Sequence, residues 1–396
     1  MTLEQKIKKL SNKYFSQVVD IRRHIHQFPE LSFQEFKTSK YIASLLKEWG
    51  IEFESNIAET GILATIKGKN PESKTIALRA DMDALPIEEK NDIPYKSKNK
   101  GVMHACGHDA HTASLLGVML ILNELKDAFE GTIKCIFQPG EELLPGGAKL
   151  MIQQGVLENP EPDIIIGQHV YPELPAGKIG IKSGAYMASS DEIYITVKGQ
   201  GGHGAMPRQI NDTVLITSHI IVALQQITSR LAPTGIPTVL SFGKVIANGA
   251  TNVIPDEVHI EGTFRTMDEK WRLEAHQKIK NITAGVAQSM GAHAEINIKS
   301  GYPVLINDEK ITLKAKETAK QFLGAKNIVD LDYRMTSEDF AYFSQKKPAV
   351  FYRLGVSSTN NKECSSLHSA NFNINEQALE TGMGTMAYMA IRLLEI

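Results

Sequence analysis

Apolar residues recur three or four apart over residues 3–27 and again over 33–49, the spacing of helices that bury one face. Short β-rich runs follow at 62–67, 75–80, 132–138 and 163–169, with helical stretches between them at 110–127 and 145–155. Strands alternating with helices predict an α/β sheet covered on both faces.

The middle of the chain has a different rhythm. Residues 191–198 alternate like a strand, 212–230 carry a helical apolar period, 238–246 and 257–265 read as strands, 268–290 as a long helix and 294–298 as a last strand. The order β-α-β-β-α-β is the ferredoxin-like split unit, which can close a domain by itself. It predicts an inserted domain at 187–300, between the two parts, 1–186 and 301–396, of a discontinuous outer domain. Past the insert the outer pattern resumes, with helices at 311–323 and 376–396 and a strand at 349–353.

Composition narrows the class. A chain of 396 residues fits two domains with sizeable cores. With 42% hydrophobic and 22% charged residues it has the make-up of a soluble globular protein. The net charge is -2 and Lys and Arg form no long block, so there is no basic face for nucleic acid. Cys106, Cys135 and Cys364 are too few, and odd in number, for a disulfide framework, and they suit a reducing compartment. The first ten residues lack the apolar core of a secretion signal. No apolar run approaches the ~20 residues that span a bilayer. The expectation is a cytoplasmic protein that binds neither nucleic acid nor membrane.

Four segments carry chemistry. Met103-His-Ala-Cys-Gly-His-Asp-Ala-His-Thr112 gathers a cysteine, three histidines and an aspartate at a helix start. A thiolate at Cys106 and an imidazole at His108 are good ligands for zinc and similar metals. The run 131–138 leads through Pro-Gly into the adjacent carboxylates Glu141 and Glu142; one could hold metal while the other handles a proton, and an ordinary acidic helix start is the plainer alternative. The strand at 75–80 runs into Asp81 and Asp83, and the strand at 163–169 delivers His169. Loops beyond strand ends are where α/β sheets place their ligands, so these segments point to one site. His24 and His26 read as structural, and Ser337-Glu-Asp-Phe340 as a helix N-cap with acidic first-turn residues. His219, His259, His276 and His293 read as solvent-facing or packing residues of the insert.

Ala80-Asp-Met-Asp-Ala-Leu-Pro86, His104-Ala-Cys-Gly-His-Asp109, Gln138-Pro-Gly-Glu-Glu142 and Gly201-Gly-His-Gly-Ala205 follow one another along the chain. Together they resemble the di-metal amidohydrolase family of aminoacylase and carboxypeptidase G, in its branch of hippurate and auxin-conjugate (indole-acetyl-amino-acid) hydrolases. The resemblance spans nearly the whole chain. It implies a zinc-peptidase-like α/β catalytic domain with an inserted ferredoxin-like α+β dimerisation, or lid, domain. It also implies two divalent metal ions per subunit, Mn2+ or Zn2+. Carried over by motif, the metal ligands are Cys106, His108, Glu142, His169 and His368, the last within Ser366-Leu-His-Ser-Ala-Asn371. Glu141 takes the place of the general base, and Asp83 that of an aspartate that orients a ligand. The wider family often has His-x-Asp at that point, with the histidine on metal; this chain has Asp81-Met-Asp83, which leaves the role of Asp81 open. His203 matches a histidine that crosses a dimer to stabilise the oxyanion in the other subunit's site. Asn252 and Arg265 resemble substrate-contacting positions, with a turn residue and a surface salt bridge as the plainer alternatives.

The activity so implied is hydrolysis of the amide bond of N-acyl-L-amino acids, with acetyl, benzoyl or similar acyl groups, to free amino acid and carboxylic acid. The working form implied is a homodimer or a higher homo-oligomer. Three other readings stay open on the residues themselves. One is a dipeptidase or carboxypeptidase using the same site. Another is a cysteine hydrolase with Cys106 as nucleophile. The third is a non-catalytic protein that binds metal or amino acid.

Overall fold

The computed structural model describes residues 1–358 and 365–396, so Cys364 lies outside the described residues. By its internal contacts the chain divides into two compact units. The outer unit comprises Met1–Gly184, Ile306–Asp332 and Asp339–Ile396, and the inserted unit Ala185–Leu305 and Tyr333–Glu338.

The outer unit is built on an eight-stranded sheet. Its order is Glu52–Ile57, Gly61–Lys67, Thr132–Gln138, Thr75–Asp81, Ile164–Pro175, Ala349–Ser357, Ile179–Ile181 and Ile328–Asp330. The four middle strands, from Thr132–Gln138 to Ala349–Ser357, run parallel. Gly61–Lys67 and Glu52–Ile57 extend one side antiparallel. Every residue of Thr75–Asp81, Thr132–Gln138 and Ala349–Ser357 is buried, so both faces of the sheet centre are covered, as parallel strands require. Helices Leu3–Gln27, His108–Glu124 and Gln377–Leu394 pack on one another, and the last two also on central strands. His108–Glu124 is buried continuously from His108 to Leu122, which its run of Ala, Leu, Val, Met and Ile with small Ser, Thr and Gly permits all round.

Parallel strands present their C-terminal ends on one edge. Asp81 pairs in register with Gln138, and Arg79 with Gly167. Asp81, the loop after Gln138, and His169 therefore emerge at one level.

In this sheet three short or exposed strands escape the sequence reading. Glu52–Ile57 is an edge strand with mostly exposed residues, and Ile179–Ile181 and Ile328–Asp330 have three residues each, too few to show a period. The second helix starts at Phe36 rather than 33. Phe33 has φ +63°, and the Glu35 carboxylate accepts its backbone N–H at 2.9 Å, so this stretch turns before it coils.

In the inserted unit a four-stranded antiparallel sheet runs Thr238–Ile246, Glu257–Thr266, Asp191–Lys198, His293–Ser300. Helices Thr213–Leu224 and Glu269–Ser289 pack on it, each started by an aspartate, Asp212 or Asp268, whose side chain accepts a first-turn N–H. Asp191–Lys198 alternates buried and less buried positions, and Ile193, Ile195 and Val197 meet Ile216, Ile220, Trp271 and Ile279 in the core. Chain order and strand order together are those of the ferredoxin-like fold.

One helical stretch bears on the sequence expectation about membranes. Thr213–Leu231, 19 residues, is long and apolar enough to cross a bilayer by length and composition alone. Ser218, His219, Gln225, Gln226 and Arg230 interrupt its apolar run, which is why no 20-residue stretch was legible. Ile216, Ile220 and Leu224 lie in the core, while Val214, Leu215 and Val222 are exposed.

Candidate metal centre

The chain enters helix His108–Glu124 through Gly107, at φ +85°, where a Cβ would lie 2.5 Å from Val170 Cγ2. Glycine meets both demands, a left-handed backbone and no side chain. The turn leaves Cys106 and His108 buried at the helix start. Asp83 then fixes the ring of His108. Its Oδ1 accepts from His108 Nδ1–H at 3.1 Å, while Oδ2 accepts the Glu142 backbone N–H at 2.9 Å and the Ser32 hydroxyl at 2.7 Å. Donation to Asp83 assigns the proton to Nδ1. Nε2 is then left buried without a hydrogen-bond partner.

After strand Thr132–Gln138 the chain turns at Gly140, φ +57°, where a Cβ would strike the Phe33 ring at 2.4 Å. Glu35 Oε1 accepts the Gly140 N–H at 2.9 Å. The turn delivers Glu141, buried, and Glu142, half-buried, ahead of a helix that starts only at Gly147, so neither carboxylate is a first-turn residue. His169 donates Nδ1–H to the Val170 carbonyl at 2.8 Å, which turns its Nε2 toward Cys106 Sγ at 3.5 Å. His368, at φ +61°, donates its backbone N–H to Ala105 O at 2.9 Å and sets Nε2 3.1 Å from Glu142 Oε1.

Three overlapping groups join these residues, each with its candidate ligand atoms within 4.8 Å of one another: Cys106, His108 and His169; Cys106, Glu142 and His368; His108, Glu141 and Glu142; a further group, Asp81, His108 and His111, shares His108. Shared members make them one cluster. Its charges are frustrated in the protein alone. Burial and then the Glu142 carboxylate push the Cys106 thiol up. Burial lowers His108, but Asp81 and Cys106 outweigh it and hold the imidazole well above its ordinary value. Hydrogen bonds to Cys106 and Glu142 carry His368 to about 10. Burial would raise Asp83, yet the hydrogen bond from His108 and the donors on its other oxygen keep it below the usual carboxylate range. Protons are drawn to concentrated negative charge, and divalent cations are the usual replacement for such protons. Thiolate, imidazole and carboxylate donors with an orphaned imidazole nitrogen fit a pair of such metals.

Glu141 accepts the Asp339 backbone N–H on Oε1 at 3.4 Å. Asp339 itself is buried and accepts from Arg79 at 2.7 Å, from Gln138 at 2.8 and 2.9 Å, and from the Ala148 N–H at 3.0 Å. This corrects the reading of Ser337–Phe340 as a helix N-cap. The helix is Ala341–Ser344 with Phe340 at its N-cap and no side-chain cap bond. Asp339 serves distant partners instead, because a guanidinium in the protein interior outcompetes a local N–H. Arg79, Asp339 and Glu35 were not legible as site residues. Asp109, next to His108, is paired with Arg22 at 2.7 Å and His26 at 2.8 Å, so His26 ties the helix start to the first helix.

In the inserted unit His203 is exposed on the two-residue strand Gly202–His203, which pairs with Val253–Ile254. Its Nδ1 accepts the Ala205 N–H at 3.1 Å, and Gly204 N–H donates to the Asn252 carbonyl at 2.8 Å. His203 and Asn252 thus share one pair of loops. Arg265 is half-buried and donates to the Met335 carbonyl at 3.3 Å and the Ser337 hydroxyl at 3.4 Å. It forms no salt bridge among the described residues, against the plainer alternative for it.

The sequence matches the peptidase family M20/M25/M40 over residues 77–392. It is 44% identical over 307 residues to an N-acyl-L-amino acid amidohydrolase of Geobacillus stearothermophilus, covering 78% of this chain and 82% of that one. With the hippurate hydrolase of Campylobacter jejuni it shares 39% identity over 377 residues, 95% of this chain and 96% of the other. Among solved structures, the Bacillus subtilis YXEP protein, described as a dinuclear metal binding peptidase from the M20 family, matches with a TM-score of 0.83 and 34% identity over 97% of this chain and 99% of that one. The matched span takes in the strand ends, the carboxylate loop, the insert and the histidine at 368, so likeness and geometry meet on the same residues: the chain belongs to peptidase family M20/M25/M40.

Proposed function

We propose that the protein is a metal-dependent amidohydrolase that cleaves N-acyl-L-amino acids, with acetyl, benzoyl or similar acyl groups, to free amino acid and carboxylic acid. The observation that carries this reading is the pair Glu141 and Glu142. Glu142 faces Cys106 and His368, while Glu141 sits buried beside His108. Binding metal needs one such carboxylate; moving a proton needs the second. The activities for which the two relatives are named, on N-acyl amino acids and hippurate, support the substrate class.

Cys106, His108, Glu142, His169 and His368 would hold two metal ions, Mn2+ or Zn2+. Bound there, such ions supply Lewis acidity toward a carbonyl oxygen and lower the pKa of a water. Glu141 accepts the proton of the attacking water and returns it to the leaving amine. Its carboxylate is held in place by the Asp339 N–H, and Asp83 keeps the His108 lone pair turned inward. The outer unit is the catalytic domain. The inserted unit is the dimerisation domain, whose His203 stabilises the oxyanion in the other subunit's site. Asn252 and Arg265 contact the substrate, Arg265 through its carboxylate, for which a guanidinium is suited. The enzyme works as a homodimer, in the cytoplasm, where a ligating thiol stays reduced.

A cysteine hydrolase is disfavoured, because burial and Glu142 push the Cys106 thiol up, the opposite of an activated nucleophile. Peptide hydrolysis at the same site is the second reading, supported by the description of the YXEP protein as a peptidase. The deciding experiment is a hydrolysis screen of N-acetyl and N-benzoyl amino acids against dipeptides, on chelated enzyme and after addition of Mn2+ or Zn2+. Turnover of N-acyl amino acids that needs the metal supports the reading. Activity that survives complete chelation, or turnover of dipeptides alone, overturns it.

A further inference from the structure

Asp81 stands where the wider family often places a metal-binding histidine, and its surroundings give it a different occupation. Both of its oxygens are engaged at short range. Oδ2 accepts Arg79 Nη1–H at 2.7 Å, and Oδ1 accepts His111 Nδ1–H at 2.6 Å. All three side chains are buried. A guanidinium on one oxygen is a poor neighbour for a divalent cation.

The direction of each bond follows from the one before it. An ionised carboxylate only accepts, so the proton of His111 sits on Nδ1. Nε2 then carries a lone pair, and it accepts the backbone N–H of Val170 at 2.9 Å. That N–H belongs to the peptide bond leaving His169. The ladder between Thr75–Asp81 and Ile164–Pro175 ends at the pairing of Arg79 with Gly167, so on that side the strand has no partner at Val170 and the imidazole takes its place. The Val170 carbonyl in turn accepts Nδ1–H of His169 at 2.8 Å. The rings of His111 and His169 meet edge to face at 4.6 Å between centroids.

We infer that Asp81 and His111 are positioning residues for His169: Arg79 holds Asp81, Asp81 sets the tautomer of His111, and His111 clamps the peptide that aims His169 Nε2 into the metal centre. This rests on the reading of that centre as a two-metal site. Partners behind a ligating histidine typically change metal affinity by about 10- to 100-fold when removed.

The test is metal binding by the full-length protein, with Mn2+ and Zn2+ titrated against a chromogenic chelator and folding followed by circular dichroism. Two variants interrupt the relay differently. His111→Phe removes the acceptor for the Val170 N–H. Asp81→Asn must keep its carbonyl toward Arg79, so its amide N–H faces His111, drives the proton to Nε2 and sets two N–H groups against each other at Val170. Both are expected to weaken one of the two ions about 10- to 100-fold and leave the other within about threefold. His111→Gln, which keeps an acceptor, is expected to recover most of the loss. A merely structural role would lower the unfolding temperature of the metal-free protein and leave metal affinity per folded chain unchanged, and that result overturns the inference. So does the loss of an ion in Asp81→Asn with both His111 variants normal, which would make Asp81 a ligand. Should His111→Phe not fold, Asp81→Asn and His111→Gln carry the decision, unchanged affinity in the first or an equal loss in both refuting the relay. Failure of the wild-type protein to bind metal would instead refute the two-metal reading.

Discussion

Replacing Glu35 by glutamine should make the metal-free protein more stable above neutral pH and leave it nearly unchanged in mild acid. Glu35 is fully buried. Its oxygens accept the N–H groups of Phe33 and Gly140, each at 2.9 Å, and the Thr60 hydroxyl at 2.7 Å. Those bonds favour the charged form, but burial, and then the nearby Asp83, outweigh them and raise the carboxyl from 4.5 to about 7. The folded protein therefore keeps a proton on Glu35 between these values while the unfolded chain has released it. Stability from this group is fully present below pH 4.5 and is lost as pH rises through about 7. At 1.36 kcal/mol per pH unit the loss is roughly 3 kcal/mol. The glutamine side chain is neutral at every pH. Its carbonyl can serve the two N–H groups and its amide can donate to Thr60. Urea unfolding of wild type and Glu35→Gln, metal-free, across about pH 5 to 8 measures the difference. It should be below about 1 kcal/mol at about pH 5 and reach about 3 kcal/mol in favour of the variant at about pH 8. A difference that does not change with pH would refute the argument.

Glu141→Ala should bind both metal ions nearly normally and lose at least ~100-fold in kcat, the lower end for general acid–base catalysis; loss of metal with the rate would exchange the roles of Glu141 and Glu142. Gly107→Ala forces a left-handed alanine and a contact of 2.5 Å with Val170, costing about 2–5 kcal/mol together, so its melting temperature and metal content should both fall; a normal melt with full metal content would remove the steric case. Mixing His203→Ala with Glu141→Ala subunits, once subunit exchange is confirmed by tagged co-purification, should restore one working site per mixed dimer. Activity no higher than that of either variant alone would end the trans-acting role of His203.

The fold was legible where a pattern runs long enough to repeat. The buried strands Thr75–Asp81 and Thr132–Gln138, and the β-α-β-β-α-β order of the insert, show in the spacing of apolar residues. Strand ends also showed the carboxylates and His169, because parallel strands deliver their last residues to one edge. What stayed hidden was long-range pairing. Asp339 looks like a first-turn helix residue until Arg79 and Gln138 arrive from the far side of the chain to claim it. Glu35 looks like part of a helix until it captures Gly140. A weak local signal did exist for Asp81 and His111. Arg79 and Asp81 are two apart on a strand and share a face, and His108 and His111 are three apart on a helix and share a face.

The buried polar groups of the outer unit also separate by what occupies their atoms. Asp81, Asp83, Glu35 and Asp339 each have both carboxylate oxygens filled by protein donors. Such groups hold other residues in place with oxygens already engaged by the protein. His108 Nε2 is buried and has no hydrogen-bond partner. Native interiors rarely leave such an atom idle, so an orphan needs a reason. An orphan alone is not sufficient, since His104 has two unpartnered nitrogens and yet belongs to none of the candidate groups. Burial lowers its pKa to about 4, so it sits as a neutral ring rather than a charged one. The distinguishing condition is coincidence: His108 Nε2 is orphaned within the same cluster as Cys106, Glu142, His169 and His368. A ligand is marked by an unpartnered atom that meets other donors, and the residues that position it are marked by oxygens already engaged with the protein.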